Sequence, residues 1–259
     1  LQTKENLELV AKELAEDLKQ DGVVYAEIRF CPLFHTKEGL SPEEVVEAVL
    51  TGLSHVSLKT NLILCMMRNF DETMNEQIIE LTLKYLHHGV AGIDLAGDEA
   101  KYQTSQFHKL FEIINEKKIP FTIHAGEADG PTSIRSAISF GAKRIGHGIK
   151  MIEDNMLMKE AIEKDILLEV CPTSNVGTQA VSCYEEHPIK KLYEAGVCVS
   201  IHTDNRTVSH ITLTKEYELL HRYFQFSFQD FYQMNCNALK HSFLNPMEQE
   251  EIQEKLKCM

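Results

Sequence analysis

The chain has 259 residues, 43% of them hydrophobic and 25% charged, and carries a formal net charge of −13. This composition is typical of a globular protein with a sizeable core. The acidic balance excludes a uniformly basic surface for nucleic acid. The sequence contains no apolar run of about 18 residues, the length that would indicate a membrane span.

The seven cysteines are odd in number and form no C-x-x-C pair. Several lie in apolar runs, such as Cys65 in LILCMM. This usage predicts buried free thiols in a reducing compartment. Since no signal peptide is visible, we expect a cytoplasmic protein. The sequence gives no indication of the oligomeric state.

Strand-like and helix-like segments alternate along the chain. A helical pattern over 1–20 ends at Gly22, and the capping box over 41–44 predicts a second helix to about residue 58. Seven apolar runs are predicted strands: 23–30, 61–68, 90–97, 120–127, 143–148, 166–174 and 197–205. They begin roughly every 30 residues, the length of one βα unit. Two more helices are predicted near the end, from Ser227 with Asp230 as its capping partner, and from Asn245-Pro246.

Seven parallel strands fit either an open doubly wound sheet or an eight-stranded barrel that lacks one member. Nearly every run from 90 onward ends in a polar cluster, as expected of a barrel, whose active site draws on the carboxyl ends of its strands. No G-x-G-x-x-G motif follows the first strand. We therefore predict the α/β class and a (β/α)8 TIM barrel, incomplete in this chain, with extra C-terminal helices. We expect a single domain over 1–259.

Four strand-end residues are candidates for chemistry. His124, followed three residues later by Glu127, suits a metal ligand beside a proton carrier, although a hydrogen-bonded core histidine and an exposed acid would look the same. His147 stands between two glycines and could equally be a turn residue. Asp204 could complete a metal site with imidazoles or cap the next helix. Their equivalent positions at strand ends favour a shared site.

Other polar residues are interpreted as structural. Asp94 is expected to be a buried carboxylate. Glu27 and Arg29 alternate with apolar residues on the first strand and could pair with each other. The adjacent His87 and His88 are expected to be solvated at a helix end.

The chain resembles the adenosine deaminase family over nearly its whole length. The motifs that carry this resemblance occur in order: GIDLAGDE at 92–99, HAGE at 124–127, RIGHG at 144–148, CPTSN at 171–175, HTDN at 202–205 and NALKHSFL at 237–244. The resemblance implies a zinc-dependent aminohydrolase of purine metabolism, in which zinc-activated water replaces the amino group at C6 of adenosine or 2′-deoxyadenosine and leaves inosine and ammonia. The partner implied is a small purine nucleoside.

The resemblance also implies a role for each candidate. His124 and Asp204 would bind zinc. Glu127 would pass a proton to N1 of the purine, and His147 would orient the zinc-bound hydroxide. The purine would be bound by the Gly97 backbone and by Asn205.

Two departures from the family pattern matter. The family's first strand carries an H-x-H pair that supplies two zinc ligands, and no H-x-H occurs in this sequence. We expect that strand in a segment before Leu1, and we expect this chain alone to bind zinc poorly, because catalytic zinc usually has three protein ligands. The second departure is Asn205, where many members have Asp; its amide can still donate a hydrogen bond to purine N7.

Several alternatives stay open. An adenine, N6-methyl-AMP or AMP deaminase would share the fold, but adenine deaminases tend to have RIDHG where this chain has RIGHG, and no obvious phosphate site is present. A non-catalytic remnant would lack metal. A barrel hydrolase acting on amides or esters often uses a carboxylated lysine at a strand end, whereas Lys143 precedes its strand.

Overall fold

A computed structural model describes residues 1–257. The fold consists of two compact units. Among the described residues, unit 1 comprises Leu1–Ala96, Ile113–Pro120 and residues 243–257, and unit 2 comprises Gly97–Glu112 and Phe121–Ser242. The single domain expected over 1–259 stays a prediction. Within 1–257, no helix has both the length and the apolar character needed to cross a bilayer.

The described residues contain seven strands and twelve α-helices. The strands are β1 Tyr25–Phe30, β2 Lys59–Met67, β3 Val90–Ala96, β4 Ile123–Ala125, β5 Arg144–His147, β6 Leu167–Val170 and β7 Cys198–Ile201. The helices are α1 Lys4–Gln20, α2 Pro42–Ser54, α3 Glu72–Tyr85, α4 His108–Glu116, α5 Pro131–Ser139, α6 Asn155–Glu163, α7 Pro172–Gly177, α8 Ile189–Glu194, α9 Arg206–Ser209, α10 Leu213–Phe224, α11 Phe228–Lys240 and α12 Pro246–Lys257. Most predicted elements are therefore confirmed.

Unit 1 contains a parallel sheet in the order β1-β2-β3. Its middle strand, β2, is apolar from Leu62 to Met67, the pattern typical of a parallel strand covered on both faces, and Leu62 and Leu64 are fully buried. Asp94 on β3 is also fully buried, and its Oδ2 lies 3.2 Å from Nη1 of Arg29 on β1. Glu27 instead accepts the backbone N–H of Phe243 at 2.7 Å. The buried position of Asp94 is therefore confirmed, whereas the pairing of Glu27 with Arg29 stays a prediction.

Local signals explain where the first helices begin. The Thr3 side chain caps α1, and Ser41 and Glu44 form the expected capping box of α2. The two helices approach closely at Gly52, where a Cβ would come within 2.2 Å of the Glu8 carbonyl oxygen. A glycine is therefore required at this crossing.

Unit 2 contains a second parallel sheet in the order β4-β5-β6-β7. Its strands have only three or four residues each, and because they are parallel their carboxyl ends lie at one edge. Arg144 on β5 donates to the buried Glu169 on β6 at 2.7 Å, and Thr122 donates to the same carboxylate at 2.9 Å. This buried ion pair is satisfied by hydrogen bonds, as buried charges must be.

The predicted strands in unit 2 extend too far at their carboxyl ends. The run 166–174 forms strand only to Val170, because Pro172 begins α7. The run 120–127 forms strand only over Ile123–Ala125. Each apolar run thus continues into the loop that carries the polar residues.

Three further predictions concern helix starts, the adjacent histidines and the cysteines; they are confirmed except that Cys183, Cys198 and Cys236 are only partly buried. Ser227 and Asp230 form the capping box of α11, and α12 begins at Pro246. His87 and His88 are exposed. The cysteines within 1–257 are free thiols, and those most fully buried are Cys31, Cys65 and Cys171; Cys258 lies outside the described residues.

Candidate active site

A pocket of about 490 Å³ opens in unit 2. Its lining includes three of the sequence-predicted site residues: Gly97, His124 and Glu127. His124 lies on β4 and Glu127 follows the same strand. The HAGE motif therefore places an imidazole and a carboxylate in one cavity, as expected.

Glu127 is held by side chains from the segment after β6. Its Oε1 accepts hydrogen bonds from Asn175 Nδ2 at 3.1 Å and from Thr178 Oγ1 at 3.0 Å. Its Oε2 lies 3.5 Å from Nε2 of His147. The two carboxylate oxygens thus have different surroundings, and only Oε1 accepts two hydrogen bonds from donors on and just after α7.

His147 and His124 lie side by side on adjacent strands. Their ring centroids are 5.2 Å apart, and His147 is buried with a positive φ of 63°. Gly146 faces His124: a Cβ there would lie 3.3 Å from ring atoms of His124. The glycine before His147 therefore leaves room for the neighbouring imidazole of His124. Gly148 has a positive φ of 68°, and a Cβ there would meet Leu168 at 2.5 Å.

Asp204 and Asn205 follow β7. Asp204 is exposed, has a φ of 53°, and accepts a hydrogen bond from Ser174 Oγ at 2.7 Å. Asn205 caps α9, with its Oδ1 accepting the backbone N–H of Val208 at 3.0 Å. Helix capping therefore falls to Asn205, while the Asp204 carboxylate is oriented by Ser174.

Glu99 is a functional residue that sequence reasoning missed. Its buried carboxylate accepts backbone N–H groups from four consecutive residues of the HAGE loop and the Ser133 hydroxyl. These four residues are Gly126, Glu127, Ala128 and Asp129. The bond to the Glu127 amide is 3.0 Å long. Glu99 thus fixes the backbone that presents Glu127; the only sequence signal was its place at the end of GIDLAGDE.

Asn175 was also missed as an individual residue, although it belongs to the CPTSN motif. It is fully buried on α7 and contacts both Glu127 and His147. Its neighbour Ser174 contacts Asp204. One short helix therefore orients three of the predicted site residues.

A second group of potential ligands in unit 2 does not resemble a metal site. Asp165, Cys198 and His241 bring one ligand atom each within 4.8 Å of one another. Both ring nitrogens of His241 face carbonyl oxygens, those of Asn237 at 3.1 Å and of Asp165 at 3.0 Å. Each ring nitrogen of His241 therefore already faces an acceptor, and a metal would have to displace one of these contacts.

The family model described as Adenosine deaminase matches residues 1–259. The chain belongs to the adenosine deaminase family. It is 43% identical to an adenosine deaminase of Haemophilus ducreyi, over 95% of this chain and 74% of that protein. It is 40% identical to an adenosine deaminase of Enterococcus faecalis, over 99% and 77%.

Solved structures agree with this family assignment. The crystal structure of adenine deaminase from Arthrobacter aurescens is similar with a TM-score of 0.91 at 26% identity, over 99% of this chain and 80% of that one. The predicted fold class is confirmed: the similar solved structures are TIM-barrel deaminases, and the described residues form seven parallel strands in two sheets, with extra C-terminal helices. The family consists of metal-dependent aminohydrolases.

The donor set in unit 2 is compatible with zinc. His124 offers an imidazole nitrogen and Asp204 a carboxylate oxygen, both of which zinc binds in proteins. Gly146 provides the space for the His124 ring, and Ser174 orients the Asp204 carboxylate, as outer hydrogen bonds commonly do around metal ligands. The individual site roles stay predictions.

Proposed function

We propose that this protein hydrolyses adenosine and 2′-deoxyadenosine to inosine, or its 2′-deoxy form, and ammonia, in a cytoplasmic pathway of purine salvage. The observation that carries the proposal is Glu127, whose carboxylate lies in the pocket beside His147 and is oriented by Asn175. In this reaction water adds its oxygen at C6 of the purine, and the amino group leaves as ammonia.

Zinc is the proposed cofactor, with His124 and Asp204 as ligands from this chain. When bound, zinc lowers the pKa of a coordinated water to about 7 and so supplies a nucleophile at neutral pH. The family resemblance implies two further histidine ligands from an H-x-H motif, which does not occur in these 259 residues. The arrangement of Gly146 and Ser174 around the two ligands supports this assignment.

Glu127 is the proposed proton donor to N1 of the purine. Its Oε1 accepts two hydrogen bonds, so the proton belongs on Oε2, which faces His147. Such a carboxylic acid supplies a proton at the nitrogen next to the attacked carbon, which makes that carbon more electrophilic. His147 would hold the attacking oxygen in place.

The purine itself would contact Gly97 and Asn205. Gly97 lines the pocket with a φ of 107°, a conformation that glycine adopts without strain. The Asn205 Oδ1 is engaged in capping α9, so the amide Nδ2 is the group that can donate to an acceptor such as purine N7.

Steady-state assays of the full-length protein with adenosine, adenine and AMP test the proposal. We expect kcat/KM to be highest for adenosine, and the Glu127→Gln variant to lose roughly 10²- to 10⁴-fold in kcat. Glu163→Gln, at an exposed position on α6, is the matched control. Adenine or AMP as the preferred substrate would contradict the proposal. Protein that holds no zinc and takes none up would instead support a non-catalytic remnant.

A further inference from the structure

His187 is a buried histidine that the proposed function does not use. It lies just before α8 in unit 2 and is 3% exposed. Its Nδ1 accepts the backbone N–H of Ile189 at 3.2 Å. Because a backbone amide can only donate, Nδ1 carries no hydrogen, and the ring hydrogen must be on Nε2.

The Nε2–H of His187 sets the orientation of an amide. It donates to Oδ1 of Asn175 at 3.2 Å. The Asn175 Nδ2 group is therefore turned towards Glu127 Oε1 at 3.1 Å and His147 Nδ1 at 3.0 Å. A flipped amide would place its oxygen against the Glu127 carboxylate and its NH₂ against the His187 donor, so both ends would be mismatched.

The same logic extends to His147. Its Nδ1 accepts from the Asn175 amide, so in the neutral ring the hydrogen is on Nε2, the atom 3.5 Å from Glu127 Oε2. A backbone donor at Ile189 thereby determines, through two side chains, which nitrogen of His147 faces Glu127 as a donor.

We infer that His187 is a positioning residue which, through Asn175, fixes His147 as a neutral Nε2–H donor and turns Glu127 so that Oε2 is its proton-bearing oxygen. The effect of His187 on catalysis rests on the proposed function. The hydrogen-bond chain itself depends only on contacts within unit 2.

Burial, and secondarily the nearby His147, lowers the pKa of His187 to about 4. The His187 ring is therefore neutral at neutral pH. A neutral ring with one fixed hydrogen is the form that this hydrogen-bond chain requires, since a protonated Nδ1 would oppose the Ile189 amide.

The direct test is a long-range proton–nitrogen correlation spectrum of the ¹⁵N-histidine-labelled protein at neutral pH. We expect both His187 and His147 to carry their hydrogen on Nε2 with Nδ1 unprotonated. A hydrogen on Nδ1 of either ring would overturn the inference. This measurement needs no substitution and no activity, so it decides the question even if a variant fails to fold.

Two variants extend the test to catalysis. His187→Gln can place an amide donor near the position of Nε2, and we expect it to keep the His147 tautomer and a kcat within about threefold of wild type. His187→Leu removes the donor; we expect a mixture of His147 tautomers and a kcat lower by roughly 10- to 100-fold with a smaller change in KM, the usual cost of losing an outer orienting partner. His88→Leu, at an exposed site, is the control.

An unchanged His147 tautomer and kcat in His187→Leu would overturn the inference. The predicted tautomers in a protein without deaminase activity would keep the positioning role and reject the proposed function instead. The two failures are therefore distinguishable.

Discussion

Replacement of Glu99 by Gln tests how the HAGE loop is held. The carboxylate accepts four backbone N–H groups and one hydroxyl. A Gln side chain can keep its oxygen on the three N–H groups that Oε2 accepts, but its NH₂ then faces the Gly126 N–H as a second donor. The substitution thus leaves one buried backbone donor without an acceptor and removes the charge from three other bonds.

The magnitude follows from these two losses. An unpaired buried N–H costs about 1–3 kcal/mol, and each hydrogen bond loses about 1 kcal/mol when its acceptor becomes neutral. We therefore expect Glu99→Gln to lower the free energy of unfolding by roughly 4–6 kcal/mol if the contributions are independent. Because the Glu127 backbone amide is one of the donors, kcat should also fall, by about 10²-fold for a displacement near 1 Å.

Urea unfolding followed by circular dichroism measures the stability, and the deaminase assay measures kcat. Glu163→Gln removes the same charge from an exposed position in unit 2 and should change stability by less than about 0.5 kcal/mol. If Glu99→Gln unfolds within about 1 kcal/mol of wild type, the reasoning about this carboxylate is wrong.

Three further predictions concern other residues of unit 2. Gly146→Ala places a Cβ 3.3 Å from the His124 ring, so zinc content measured by metal analysis should fall while the fold persists; full zinc occupancy would contradict this role. Ser174→Ala removes the hydrogen bond to Asp204, and zinc affinity in competition with a chelator should drop roughly 10- to 100-fold, whereas an unchanged affinity would deny that Ser174 orients the ligand. Burial raises the pKa of Glu216 from 4.5 to about 7, so the stability contributed by its protonated form is complete below pH 4.5 and is lost as the pH rises through about 7. The free energy of unfolding of Glu216→Gln should therefore exceed that of wild type by up to about 3 kcal/mol at pH 8 and match it near pH 4. An equal difference at both pH values would count against the buried ionisation.

The sequence predicted the strand order and the main site residues because both depend on local patterns. Apolar runs at βα spacing identify strands, and His124 and Glu127 follow one such run. The strand ends were less accurate: the apolar pattern continues through Cys171, but Pro172 starts a helix there. A hydrophobic run shows where a strand can form and does not show where the chain turns.

Glu99, Asn175 and His187 were missed as individual residues for a different reason. Glu99 binds the backbone of residues 126–129, about 30 positions later in the chain, and His187 acts through Asn175, 12 positions away. Such partners are brought together by tertiary folding, and no periodicity marks them. A fully buried polar side chain becomes informative only when its partners are known.

The backbone at His147 and Asp204 has an implication for protein engineering. Both residues adopt positive φ angles, 63° and 53°, where a side chain costs roughly 1–2 kcal/mol relative to glycine. A library screened for heat resistance alone would accordingly be expected to enrich glycine at the exposed position 204 and to discard the carboxylate. Thermostabilisation campaigns on this enzyme should therefore keep both codons fixed.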